Sequence, residues 1–182
     1  RVAAQVCYPA NFQLIAAMNP CPCGYLGSSR CRCTPDQINR YRSKISGPLL
    51  DRIDLQVQVT PIENNQLLNQ QQANHKDQPK GESDEQIQQR ICVARERQLT
   101  RQGKTNSQLS SEELKTICPL SSEQRHLMDH AITRFGLSTR GFYRVLRVAR
   151  SIADLAGRER VISEDYQEAL SYRIASEQQT TG

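Results

Sequence analysis

Tryptophan is absent from the 182 residues, phenylalanine occurs three times, and aromatics together make up 5% of the chain. A core built from this composition is mainly aliphatic, and with 37% hydrophobic residues not every segment can contribute to one. No window approaches the ~18 uninterrupted apolar residues of a membrane-spanning helix, so no membrane span is predicted. The chain opens Arg1-Val2-Ala3-Ala4-Gln5, without the charged and apolar regions of a secretory signal. It also lacks an initiator methionine, and we expect it to be a portion of a longer protein. Seven cysteines without such a signal point to a reducing, cytoplasmic setting, where thiols serve metals or cores rather than disulfides.

Charge is plentiful. The formal net charge is +5, a mild excess that permits an anionic partner and is equally met by a solvated surface. Arginine dominates the basic residues, and its planar fork suits phosphate and interface contacts. Residues 30–52 hold six basic and two acidic side chains.

The pattern divides the chain. Phe12 to Met18 is a near-continuous apolar run between Pro9 and Asn19-Pro20, which predicts a strand buried on both faces, as in a parallel sheet; a short helix stopped at Pro20 is the alternative. Residues 20–35 hold three prolines, two glycines and four cysteines, hence a loop. Asp36 to Ser46 is predicted as a short helix capped by Thr34 or Asp36 and ended by Gly47-Pro48. Leu49 to Asp54 forms a second turn or helix, and the alternation Leu55-Gln56-Val57-Gln58-Val59 predicts a strand. Residues 61–85 are rich in Gln, Asn and Lys and read as a flexible linker.

The remainder is helical. Asp84 to Gln102 closes at Gly103. Ser110 or Ser111 caps a short helix, Ser121 opens one that runs to Phe135 and stops at Gly136, and Ser138 opens one that stops at Gly157. In the last of these, Val145, Leu146, Ala149, Ile152, Ala153 and Ala156 form the apolar stripe. Ser163-Glu164-Asp165 opens a final helix reaching Ile174, and residues 177–182 are expected to be disordered.

Four patterns carry chemistry. Asn19 follows the apolar run, where a polar side chain at the end of a parallel strand meets ligands; an ordinary turn before Pro20 explains it as well. Arg52 lies between Asp51 and Asp54, either as a surface arginine paired to one of them or as a rigid arginine offered to a neighbour's γ-phosphate. Arg140 stands in the first turn of a helix, against the helix dipole, which suits an anionic ligand better than helix stability. With Arg144, Arg147 and Arg150 it could equally be part of a solvated basic face. Finally, Cys21, Cys23, Cys31 and Cys33 form two C-x-C pairs, a set suited to a tetrahedral structural Zn²⁺ site, or to four free thiols in a short loop. Cys7, Cys92 and Cys118 read as buried or incidental.

The stretch Tyr8-Pro9-Ala10-Asn11-Phe12-Gln13-Leu14-Ile15-Ala16-Ala17-Met18-Asn19-Pro20-Cys21-Pro22-Cys23-Gly24, then Arg40-Tyr41 with Ser46 to Asp54, then Ser138 to Leu155, resembles the magnesium-chelatase-like AAA+ ATPases in their ComM/YifB-type competence branch. The resemblance covers nearly everything outside 61–85. It implies an α/β remnant of an AAA+ core in residues 1–60, followed by an all-α helical lid over 86–176. It also implies that Asn19 is the sensor-1 residue, Arg52 the arginine finger acting on the adjacent subunit, and Arg140 the sensor-2 arginine, with residues 1–12 on the far side of a pore-facing hairpin. The Gly-x-x-x-x-Gly-Lys-Ser/Thr loop and an acidic Walker B strand do not occur in these residues, so ATP and Mg²⁺ are expected to be held mainly by parts lying upstream, and the piece by itself is expected to be inactive. The branch implies a hexameric, ATP-driven motor migrating branched or single-stranded DNA in transformation and recombination. The shared chelatase ancestry implies, alternatively, a chelatase-type or chaperone-like protein remodeller; a zinc-stabilised binding module without a motor role is a third reading.

Overall fold

The structure, a computed structural model, describes residues 7–8, 12–60 and 81–174. The chain divides into two compact units, Arg1–Gly47 and Pro48–Gly182. Most of the expected linker and all of the expected tail lie outside the described residues, as do 1–6 and 9–11 of the expected hairpin.

In the first unit, helix α1 spans Pro35–Arg42. Thr34 caps it reciprocally: Gln37 N–H donates to Thr34 Oγ1 at 3.3 Å, and Thr34 N–H donates to Gln37 Oε1 at 3.0 Å. Pro35 sits in the first turn, where its lost N–H costs nothing. The helix stops at Ser43, short of the expected Ser46. The boundary between the units falls within the short helix α2, Gly47–Leu50.

The strand expected over 12–18 is not formed. These residues adopt no regular structure, and Phe12 and Ile15 are 75% and 84% exposed. The alternating segment 55–59 is likewise without strand structure, with Leu55, Val57 and Val59 all exposed. A strand is a hydrogen-bonded relationship with a neighbour, and no described residue supplies a neighbouring strand to either run. Among the described residues the fold is helical, and none of its helices is long and apolar enough to cross a membrane.

The second unit contains the helical domain. Helix α3 spans Asp84–Gln102, α4 Ser111–Ile117, α5 Ser122–Phe135, α6 Thr139–Leu155 and α7 Ser163–Ile174. Ser83, Ser110 and Ser121 each form a capping box with Gln86, Glu113 and Gln124, satisfying two end N–H groups that the helix cannot. Gly103 and Gly136 end α3 and α5 in the left-handed conformation, φ 72° and 59°, where a Cβ would be strained. A 3₁₀ turn at Asn106–Gln108 joins α3 to α4; the sequence carried no reading of it.

Helix α6 is the hub, packing against α3, α4 and α7. Its Val145, Leu146 and Ala149 join Leu109, Leu114, Cys118, Met128, Tyr166 and Leu170 in one buried cluster. Ala153 is buried as well. Ile87 and Ile91 of α3 are exposed, and that helix buries only Ala94.

Candidate functional site

The cysteine loop is folded by local turns. Gly24 N–H donates to the Cys21 carbonyl and Cys31 N–H to that of Ser28, both at 3.0 Å. Gly24 and Gly27 adopt φ 80° and 85°, which reverse the chain twice and return Cys31 and Cys33 to Cys21 and Cys23. The four Sγ atoms all lie within 4.8 Å of one another, with Cys21–Cys23 at 3.4 Å, Cys23–Cys31 at 3.7 Å and Cys21–Cys31 at 4.0 Å. A tetrahedron of sulfurs around zinc, with Zn–S near 2.3 Å, has edges of about 3.8 Å, so the four side chains fit the ion without rearrangement of the loop.

The loop's backbone also favours anionic sulfur. The Arg32 and Tyr25 amides hydrogen-bond Cys23 and bring its pKa down to about 6. For Cys33, the Cys23 amide works in the same direction, but burial and the neighbouring thiols Cys23 and Cys21 together push it up to about 11. Four thiols this close cannot all shed protons without a cation between them. A bound zinc would cross-link both ends of the loop and supply no reaction step.

Asn19 lies directly before this loop and is exposed, its side-chain carbon 3.7 Å from where a Cβ on Gly24 would stand. It belongs to the first unit; Arg52 and Arg140 belong to the second.

Arg52 follows α2 in a turn closed by Arg52 N–H to Leu49 O at 2.9 Å. Its Nη1 donates to the Pro48 carbonyl at 2.6 Å. The side chain is exposed, and among the described residues it has no carboxylate partner. Both flanking acids are occupied elsewhere. Asp51 accepts from Arg173 Nη2 at 3.0 Å and from Ser138 Oγ at 3.1 Å, and Asp54 pairs with Arg144. Pairing of Arg52 to Asp51 or Asp54, the plain surface explanation, is therefore not what the structure contains.

Arg140 sits at the exposed start of α6. Ser138 caps that helix by accepting from Gly141 N–H at 3.0 Å, while its own hydroxyl donates to Asp51. One serine thus joins the helix end carrying Arg140 to the loop carrying Arg52. Among the described residues Arg140 has no ion-pair partner.

The remaining arginines of α6 do not form a solvated basic face. Arg144 is paired to Asp54, and Arg147 donates twice to the Leu109 carbonyl, at 3.2 and 2.7 Å. Arg150 is 1% exposed and donates to Asp154 and to the carbonyls of Arg158 and Glu159 at 2.6–2.9 Å. Asp154, equally buried, also accepts from Arg101 at 2.6 and 3.0 Å and from Asn106 at 2.8 Å. Burial alone would raise the Asp154 pKa; the hydrogen bonds from Arg101 and Asn106, with the charge of Arg150, hold it below the ordinary carboxylate range. These side chains tie the helices together and are not available to an outside phosphate.

Sequence reasoning missed this network and the role of Arg173. The spacing of Arg150 and Asp154, four apart, is a local signal that could have found the first. Arg173 had no such signal, since its partner Asp51 lies 122 positions away.

Two family models match the chain. The family model described as "Magnesium chelatase, subunit ChlI" matches residues 1–67, and "Magnesium chelatase, subunit ChlI C-terminal" matches 81–173. The chain is 42% identical over 173 residues to the uncharacterized protein YifB of Escherichia coli K12. It is 38% identical over 173 residues to the competence protein ComM of Haemophilus influenzae Rd, and 40% identical over 171 residues to an uncharacterized protein of Mycobacterium bovis. These alignments cover 92–95% of the chain but only 32–33% of the relatives, so the chain spans about a third of the length of the curated relatives it matches.

Proposed function

The chain belongs to the magnesium chelatase ChlI family, and from that membership we propose that it is the nucleotide-sensing and triggering part of a ring-forming ATPase. Arg52 is the group that reaches the γ-phosphate held by the adjacent subunit. Arg140 and Asn19 sense the nucleotide from the lid and from the end of the core. The observation that carries this reading is the state of Arg52: an exposed guanidinium between two carboxylates, both already engaged by other side chains. An arginine in that position can neutralise charge developing on a transferred phosphoryl group, an effect of ~10³–10⁵ in rate.

The nucleotide and its Mg²⁺ would be held mainly by segments outside residues 1–182, which contain no phosphate-cradling loop. The exposed runs 12–18 and 55–59 are, on this reading, strands of an α/β core that complete their ladders against the rest of the full-length protein. Burial there would cover Phe12, Ile15, Val57 and Val59. The cysteine loop holds one Zn²⁺ as a structural cross-link; metal analysis should find one equivalent in the chain, and less than a tenth of that in Cys31→Ser.

We propose DNA, branched or single-stranded, as the substrate of a hexameric ring. The name of the Haemophilus relative, a competence protein, supports this reading, as do the exposed Arg32 and Arg40 beside the cysteine loop. The internal engagement of Arg144, Arg147 and Arg150 removes them as phosphate contacts. A chelatase-type or chaperone-like protein remodeller is the second reading, favoured by the family descriptions themselves.

The test is ATP turnover by the full-length protein with and without four-way DNA, alongside Arg52→Ala. We expect stimulation by DNA, and loss of turnover with ATP binding intact in the variant. Turnover indifferent to DNA would favour remodelling, and hydrolysis surviving in Arg52→Ala would remove that residue from the trigger.

A further inference from the structure

The residues flanking Arg52 are fastened to the helical domain, while among the described residues the Arg52 guanidinium is not. On one side, Asp51 accepts from Arg173 Nη2 at 3.0 Å and from Ser138 Oγ at 3.1 Å. On the other, Arg173 Nη1 donates to the Ile53 carbonyl at 3.2 Å, Asp54 pairs with Arg144, and Gln56 N–H donates to the Tyr172 carbonyl at 2.8 Å. The partners come from α6, from the residue that caps it, and from α7, 87 to 122 positions along the chain for the side-chain bonds. Arg173 donates through two different nitrogens to two successive parts of the loop, a two-point attachment that sets orientation as well as distance.

We infer that Arg144 and Arg173, through Asp54 and Asp51, are positioning residues for Arg52, so that the helical domain carries the trigger arginine and its placement sets whether Arg52 reaches the neighbour's phosphate. The inference rests on the trigger reading of Arg52 given above. Among the described residues, the Arg52 guanidinium is anchored only at the Pro48 carbonyl of the adjoining α2. A rotation of α6 and α7 is transmitted to the loop at Asp51, Ile53, Asp54 and Gln56, and Arg52 must follow. Displacing a catalytic group by ~1 Å can cost ~10²-fold in rate, so small movements of these helices suffice to switch turnover on or off. The Asp54–Arg144 pair is the part most open to solvent, its carboxylate side chain 57% exposed. Exposed ion pairs contribute little to folding, which makes this pair separable from stability by mutation.

The experiment uses the full-length protein and four variants: Arg52→Ala, Arg144→Asp, Asp54→Arg, and the double exchange Asp54→Arg/Arg144→Asp. Steady-state kcat, the dissociation constant for an ATP analogue and the thermal midpoint are measured for each. Arg144→Asp and Asp54→Arg are each expected to lower kcat at least 10-fold, with nucleotide affinity within 2-fold and the midpoint nearly unchanged. The double exchange restores the opposite-charge contact and should recover most of the lost kcat.

Unchanged kcat in both single variants, with Arg52→Ala inactive, overturns the inference and leaves the trigger reading standing. Loss of kcat that tracks a lowered midpoint and is not recovered by the exchange also overturns it, by making the pair merely structural. Turnover retained by Arg52→Ala overturns the trigger reading and the inference with it, a result distinguishable because it involves no lid residue. Should Arg144→Asp fail to fold, Arg144→Gln, which removes the charge and keeps most of the side chain's length, gives the same comparison.

Discussion

The helical domain and the segment 12–60 draw on similar apolar side chains and put them to different use. In residues 84–174, Leu109, Leu114, Met128, Val145, Leu146 and Leu170 close around Tyr166. In residues 12–60, Leu14, Ile15, Leu55, Val57 and Val59 are open to solvent, and Cys21 is the one described residue that is fully buried. The difference lies in the backbone rather than in hydrophobicity. A helix satisfies its own N–H and C=O groups and needs only a partner for one face. A strand needs a neighbour before its side chains have any surface to bury against. The helices of this chain therefore complete themselves within the described residues, while the runs 12–18 and 55–59 form no strand among them.

The largest break in that comparison should come from the buried charges that hold the helices together. Asp154→Ala would leave Arg150 buried without its carboxylate, and we expect a loss of about 3–5 kcal/mol in chemical denaturation of the chain. Leu146→Ala should cost about 2–5 kcal/mol by emptying the shared core. In the same chain Ile15→Ala should change stability by no more than about 0.5 kcal/mol. In the full-length protein Ile15→Ala should approach the Leu146 value if the run is a core strand there. Equal, negligible effects in both contexts would dismiss the strand assignment.

Smaller effects refine the helical side. Ser121→Ala removes the cap of α5 and should cost about 1 kcal/mol, seen as a lower denaturation midpoint at unchanged slope. Glu113 gives a pH dependence of known sign. The Lys104 ammonium, followed by hydrogen bonds from Ser110, lowers its carboxyl to about 2, against about 4.3 for a free glutamate. Its contribution is therefore fully present above the unfolded value and is lost as the pH falls toward 2. Glu113→Gln should flatten the acid limb of the stability curve between about pH 4.5 and 2, and an identical limb in the variant would contradict the assignment.

Much of the helical domain was legible because its signals are local. Ser110, Ser121 and Ser138 cap helices through groups three positions away, and Gly103 and Gly136 stop them within one residue. The cysteine site was legible for the same reason, since two C-x-C pairs separated by a glycine-rich turn converge through short-range geometry. The strands over 12–18 and 55–59 were misread for this chain because periodicity reports which face wants burial and not whether a neighbour is present. The α6 arginines were misjudged because identical spacing fits a solvated stripe and a set of internal ties.

The sequence by itself determined where the long helices of residues 84–174 begin and end, that four thiols meet in one loop, and which arginines stand at helix and turn boundaries. These outcomes depend on backbone dihedrals and on bonds spanning a few residues. Only the tertiary structure decided that Asp51 and Asp54 turn from Arg52 to Arg173 and Arg144, and that Arg150 is enclosed while Arg140 is open. Each of the first choices joins residues roughly 90 to 120 positions apart, and a charge selects such a partner by distance in space, which only packing of the intervening helices sets.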